Sequence, residues 1–176
     1  MLRDRKTLLI LFGLPVVQIL IFGFALTNEV KNSKILLVDH ARDIASQNII
    51  TKIEASRYFE IQESTLSLSR IEDAFREGKI KMAIVIPANF QYDLMHENRA
   101  SIQVIVDASD PNTANTLTQY VSSIIRDYQA DQNELMGIPL RITPEIKMLY
   151  NPQLKGAPNF VPGVMALVLM LISVTM

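Results

Sequence analysis

From Leu8 to Leu26 the chain carries no charged residue, and Gln18 is the most polar side chain in the run. As a helix this stretch would be about 28 Å long at ~1.5 Å per residue, close to the hydrocarbon thickness of a bilayer. Apolar residues would surround such a helix on all sides, so it is not an amphipathic surface helix. Pro15 would break a helix in water but is tolerated in a membrane, where neighbours re-satisfy the freed carbonyl. Arg3, Arg5 and Lys6 precede the run. By the positive-inside rule they hold the N-terminus in the cytoplasm and send the following residues outside.

Two other readings compete for this run. Gly23-Phe24-Ala25 has the small-x-small look of a signal-peptide cleavage site, but the run is longer than the usual apolar core of a signal peptide. A buried helix of a soluble protein would usually show a polar edge. The last residues separate these readings. From Phe160 to Met176 nearly every residue is apolar, which a secreted protein behind a signal peptide would not need. The expectation is a second transmembrane helix that starts at Phe160 and is cut short in this sequence.

Between the two runs the composition is that of a globular domain. The chain is 49% hydrophobic overall, but the apolar residues pile up at its two ends. Net charge is −1, so no basic field points to nucleic acid. There is no cysteine, which removes disulfides, thiol nucleophiles and cysteine metal ligands. The segment KILLVDH (34–40) predicts a buried strand. Next, ASQNIITKIEAS predicts a helix with Ala45, Ile49, Ile50 and Ile53 on one face. YFEIQES (58–64) alternates like a strand. SRIEDAFREGK predicts a short helix, with Ser69 and Glu72 at capping-box spacing and Gly78 as its stop. Ile84-Val85-Ile86 predicts a strand closed by Pro87, and SIQVIVDASDPN predicts another ending in a turn. From about Asn112 to Met136 runs the longest helix, with Leu117, Val121, Ile124, Ile125 and Tyr128 in one stripe. Its opposite face, with Thr118, Gln119, Ser122, Arg126 and Gln129, is expected to meet water. LRITPEIKMLYNP predicts an extended segment returning to the membrane. The alternation points to a mixed α/β domain, helices packed on a sheet, flanked by two transmembrane helices.

No chemical site stands out. His40 and His96 form no metal-binding spacing. Asp107, Asp110 and Asn112 do not fit an EF-hand loop, and capping or turn roles explain them. There is no Gly-rich phosphate loop and no Gly-x-Ser-x-Gly elbow. No catalytic residue, metal or cofactor is expected. In the apolar runs, Gln18 is a candidate for helix packing or a transport path. Pro162 and Gly163 can loosen the start of the second run, or Pro162 can sit without cost in its first turn.

Three stretches, in this order, resemble the permease subunits of type-2 ABC exporters with a large extracytoplasmic domain between the first two spans. They are RDRKTLLILFGLPVVQILIFGFAL, AIVIPANF, and LYNPQLKGAPNFVPGVMALVLMLI. DASDPNTAN before the long helix also fits. The last stretch is the most specific, with Tyr-Asn-Pro-x-Leu leading into Phe-Val-Pro-Gly. The resemblance implies about six spans per permease. It also implies a bacterial inner-membrane location, a second permease subunit (homo- or heterodimer) and a separate ABC ATP-binding subunit. A periplasmic adaptor is a further candidate partner, alongside the bilayer itself. The organisation it implies is 1–7 as a residual cytoplasmic segment, 8–26 as the first span, 27–159 as the extracytoplasmic domain and 160–176 as the start of the second span. The family's usual surface helix before the first span is reduced to MLRDRK, and its later spans are not in this sequence, which is expected to be an N-terminal fragment. The rival reading is a membrane-anchored sensor whose outer α/β domain binds a ligand. A sensor would continue beyond the second span into a signalling region, a permease into more spans.

Overall fold

In the computed structural model, residues 32–63, 68–137, 139–155, 161–166 and 169 are described. Strands and helices alternate through them: β1 (Ser33–Asp39), α1 (Ile44–Ala55), β2 (Phe59–Glu63), α2 (Leu68–Arg76), β3 (Met82–Ile86), α3 (Phe90–His96), β4 (Arg99–Asp107), α4 (Pro111–Met136) and β5 (Arg141–Leu149). The apolar pattern predicts the order β-α-β-α-β, a helical turn, then β-α-β, and the short helix α3 stands where that turn is expected. The Ser69 side chain, and so the expected capping box, lies outside the described residues.

The strands form one sheet in the order β2-β1-β3-β4-β5. All neighbours are parallel except β3 and β4. Residues 35–38 of β1 are buried on both faces, which is why that strand reads as a continuous apolar run. Ile35 and Leu37 point into the larger core with Ile49 and Ile53 of α1, Phe90 and Leu94 of α3, and the stripe of α4. Leu36 and Val38 point the other way, onto Ile71 and Phe75 of α2. Leu117, Val121, Ile125 and Tyr128 of α4 are all buried. Cutting back one of these aliphatic side chains to alanine is expected to cost about 2–5 kcal/mol.

Each helix end has a local cause. Asp110 caps α4 by accepting from the Asn112 N–H (3.0 Å) and the Thr113 hydroxyl (2.7 Å), and Pro111 fills the first turn. The same helix stops at Gly137, at φ 64°. α1 starts with a capping box between Asp43 and Ser46. Gly78 ends α2 at φ 66°.

The water-facing side expected for α4 holds for Gln119 and Arg126, which are exposed, and needs correction for Thr118, Ser122 and Gln129, which are half-buried. The start of β5 lies along it. Gln129 Oε1 accepts the Ile142 N–H (2.8 Å) and Asn133 Oδ1 accepts the Leu140 N–H (2.6 Å). Thr118 is half-buried, and its hydroxyl is enclosed without a hydrogen-bond partner among the described residues. Helical periodicity cannot foresee this, because the covering strand lies downstream of the helix.

One row of backbone hydrogen bonds fixes which way the chain runs. The Lys81 N–H bonds the Lys34 carbonyl (2.9 Å), the Asp107 N–H bonds the Lys81 carbonyl (3.0 Å), and the Ala108 N–H bonds the Leu149 carbonyl (3.1 Å). The first residues of β1 and β3 and the last of β4 and β5 therefore share one end of the sheet. The chain enters this domain and leaves it at that end, called the base below. Among the described residues no helix is long and apolar enough to cross a membrane. The expected first span, 8–26, lies outside the described residues, as does most of the second.

Candidate functional site: the base of the sheet

The base collects two of the sequence stretches that carry the family resemblance, DASDPN and YNPQLK, and the structure gives both a physical reason. In DASDPN, Asp107 is buried at the end of β4. Its Oδ1 accepts the Ser109 N–H (3.0 Å), and its Oδ2 accepts from Lys81 Nζ (3.1 Å). Burial alone would push its pKa up. The bonds from Ser109 and the Lys81 ammonium outweigh burial and hold the carboxyl below its ordinary value. Three residues after Asp107, Asp110 caps α4.

In YNPQLK the chain turns as it leaves β5. Asn151 closes this turn with both ends of its side chain. Its Oδ1 accepts the Lys155 N–H (3.1 Å), and its Nδ2 donates to the Lys155 carbonyl (3.0 Å). Leu154 packs half-buried against the main core. Tyr150 and Leu154 hold φ at 66° and 50°, positions that an L-residue adopts only under constraint. The motif is thus a clamp that fixes how the chain departs toward Phe160.

At the opposite edge, Tyr58 precedes β2, and its carbonyl accepts the Ser33 N–H (3.0 Å). Its ring stacks on Tyr120 of α4, with centroids 4.1 Å apart and planes 19° apart. Tyr58 and Tyr150 both remain exposed. In the sequence Tyr58 reads only as the start of a strand segment, and Tyr150 only as the first residue of the Tyr-Asn-Pro-x-Leu motif. The base becomes visible only with the strand order.

The far end is organised differently. Asp43 Oδ2 accepts the Gln91 N–H (2.9 Å), while Gln91 Oε1 accepts the Ile44 N–H (3.1 Å), tying the starts of α1 and α3 together. AIVIPANF ends here: the Phe90 N–H bonds the Pro87 carbonyl (3.2 Å), and Phe90 is fully buried. Beside it lies an open cleft of about 470 Å³ lined by Arg42, Gln47 and Asn48. A second, of about 610 Å³, lies between α4 and β5. Tyr128 is buried, which raises its pKa; a bond with Asn48 opposes this and the Asp43 charge adds to it. His40 is a turn residue whose N–H bonds the Ile86 carbonyl (3.0 Å). Among the described residues no group of three His, Asp or Glu is placed to hold a metal.

Arg3, Arg5, Lys6 and Gln18 lie outside the described residues. Pro162 falls in the first turn of the helical residues 161–166, where no intrahelical N–H is lost. Around Gly163 there is open space on the side where a Cβ would point. Val161, Val164, Met165 and Leu169 are all exposed.

The family model described as ABC-2 family transporter protein matches residues 5–176. The chain belongs to this family of transporter permeases. It is 28% identical over 176 residues to the Probable multidrug ABC transporter permease YbhS of Escherichia coli K12, covering 97% of this chain and 46% of that protein. It is 26% identical over 168 residues to the permease YbhR of the same organism, covering 96% of this chain and 46% of that one. The chain therefore spans about half the length of the curated relatives it matches. A crystallised domain of a candidate ABC type-2 transporter from Thermotoga maritima MSB8 superposes with a TM-score of 0.49 at 17% identity, over 65% of this chain and 86% of that one. At that score the likeness supports nothing further.

Proposed function

We propose that this chain acts as a membrane-spanning permease subunit of an ATP-driven exporter in the bacterial inner membrane. Residues 8–26 and the run from 160 would cross the bilayer, 1–7 would lie in the cytoplasm, and 27–159 would form an outer domain. The observation that carries this reading is the shared base. A domain inserted between two spans must take the chain from one membrane face and hand it back to the same face. A sheet whose first strand starts, and whose last strand ends, at one end meets that demand. The exposed Val161, Val164, Met165 and Leu169 fit the same reading, because lipid or neighbouring helices would cover them.

The chain hydrolyses nothing in this account. An ABC ATP-binding subunit on the cytoplasmic side supplies the energy, and a second permease subunit completes the path. Movement of the ATP-binding subunits tilts the spans and alternates access. The outer domain gates the exit or docks a periplasmic adaptor. Arg3, Arg5 and Lys6 set the orientation. Gln18 faces protein or a watery path, and Pro162-Gly163 gives the second span a loose start. Membership of a transporter family favours this over a sensor.

The test is co-purification of the permease with its ATP-binding subunit. ATP turnover should vanish when the phosphate-binding lysine of that subunit is replaced, and should need no side chain of this chain as a catalyst. Turnover by the permease alone would refute the assignment.

A further inference from the structure

The base exposes an unusual pair of side chains. Tyr58 is 40% exposed and Tyr150 is 58% exposed. They sit beside the two edge strands, β2 and β5, at opposite corners of the sheet. Four strand spacings separate those edges, about 19 Å. Tyrosine has an apolar ring and a polar tip, and it favours the boundary between headgroups and acyl chains. Stacking on Tyr120 fixes the ring of Tyr58, and the Asn151 clamp follows directly after Tyr150.

The charges at this end complete the picture. Lys34, Arg57 and Lys155 are exposed, and none makes an ion pair with another described residue. The Lys81 ammonium is occupied by Asp107, and that of Lys79 by Glu77. Glu54, Glu60 and Asp110 are exposed nearby, so these acids roughly balance the three cations. Such a surface suits zwitterionic headgroups, with phosphates for the cations and amines for the acids, and it does not demand anionic lipid.

The tethers are short. From Leu26 to Ser33 the chain can reach about 25 Å at most when fully extended, and from Lys155 to Phe160 about 18 Å. The base cannot stand far from the ends of the two apolar runs.

We propose that the base rests on the phospholipid headgroup layer, with Tyr58 and Tyr150 as two corner anchors and Lys34, Arg57 and Lys155 on lipid phosphates. This rests on the two-span reading above. Two separated contacts would hold the outer domain upright, so that tilting of the spans moves it as a rigid body.

The chain has no tryptophan, which gives a clean optical test. Tyr58→Trp, Tyr150→Trp and Tyr92→Trp variants are reconstituted in phosphatidylcholine vesicles carrying lipid spin-labelled at a shallow acyl position. Tyr92 is 61% exposed at the far end of the sheet, so it is the control for exposure. Emission from the Tyr58→Trp and Tyr150→Trp variants should be blue-shifted and quenched at least twofold more than that from Tyr92→Trp. Replacing a third of the lipid with phosphatidylglycerol should change this little. Equal quenching of all three variants overturns the proposal. So does quenching that appears only with phosphatidylglycerol, which would mean loose electrostatic adsorption. A Leu20→Trp variant with a deep spin label reports insertion of the first run. If that control is not quenched, the two-span reading fails, and the base proposal fails with it.

Discussion

Replacing Asn151 with alanine removes both side-chain bonds that close the turn after β5. Each such bond is worth about 0.5–1.5 kcal/mol net when buried. Asn151 is only half-buried, and water replaces part of what is lost, so about 1 kcal/mol in total is expected for closing this turn. The αL positions of Tyr150 and Leu154 work against closure, which is what the Asn151 bonds offset. The Lys155 amide reports the effect, because its N–H donates to Asn151 Oδ1. At 1.4 kcal/mol per factor of ten, hydrogen exchange at Lys155 should speed up about fivefold in Asn151→Ala, with amides of β4 unchanged. Asn151→Asp keeps an acceptor for the Lys155 N–H and loses only the donor to the Lys155 carbonyl, so its exchange should fall between the two. Unchanged exchange at Lys155 in Asn151→Ala would refute the clamp. Faster exchange spread through β5 would mean that Asn151 supports the sheet and not the turn.

Residues 32–155, expressed alone, should unfold in one cooperative urea transition, because both core clusters lie within them. In that setting Asp110→Ala should lower stability by about 1 kcal/mol through loss of the α4 cap. Asp107 has a depressed pKa in the folded state, so its stabilising contribution is complete above the unfolded value and is lost as pH falls through the folded one. Asp107→Asn should therefore flatten the acid limb of the stability–pH curve and leave its shape near pH 7 to 8 unaltered.

Much of this fold was legible because each element carries its own signal. The four-residue apolar run of β1, the stripe on α4, and the Asp and Gly residues that start and stop helices all act through neighbours in sequence. What stayed hidden depends on distant partners. Nothing local to Gln129 or Asn133 says that their amides will take the N–H groups of β5. Thr118 looks polar and solvent-facing in the sequence, yet the fold half-buries it and encloses its hydroxyl. In the sequence Asn151 stands out only as part of a family-like motif, and its clamp on Lys155 supplies the reason. Tyr58 and Tyr150 lie far apart in the sequence, and only the order β2-β1-β3-β4-β5 puts them at two corners of one base. Arg3, Arg5, Lys6 and Gln18 rest on the sequence argument.

The central claim is that the domain stands outside the cytoplasm between two spans. The chain is free of cysteine, so one introduced thiol reports on one place. Asn98 would be the natural choice in the loop at the far end, but it holds φ at 54°, which strains a cysteine. Glu97 beside it has φ −102° and is exposed. A Glu97→Cys variant in intact cells, treated with a membrane-impermeant maleimide, should be labelled as fully as after lysis once the outer envelope is made permeable. Labelling only after the inner membrane is broken would place the domain in the cytoplasm and contradict the account.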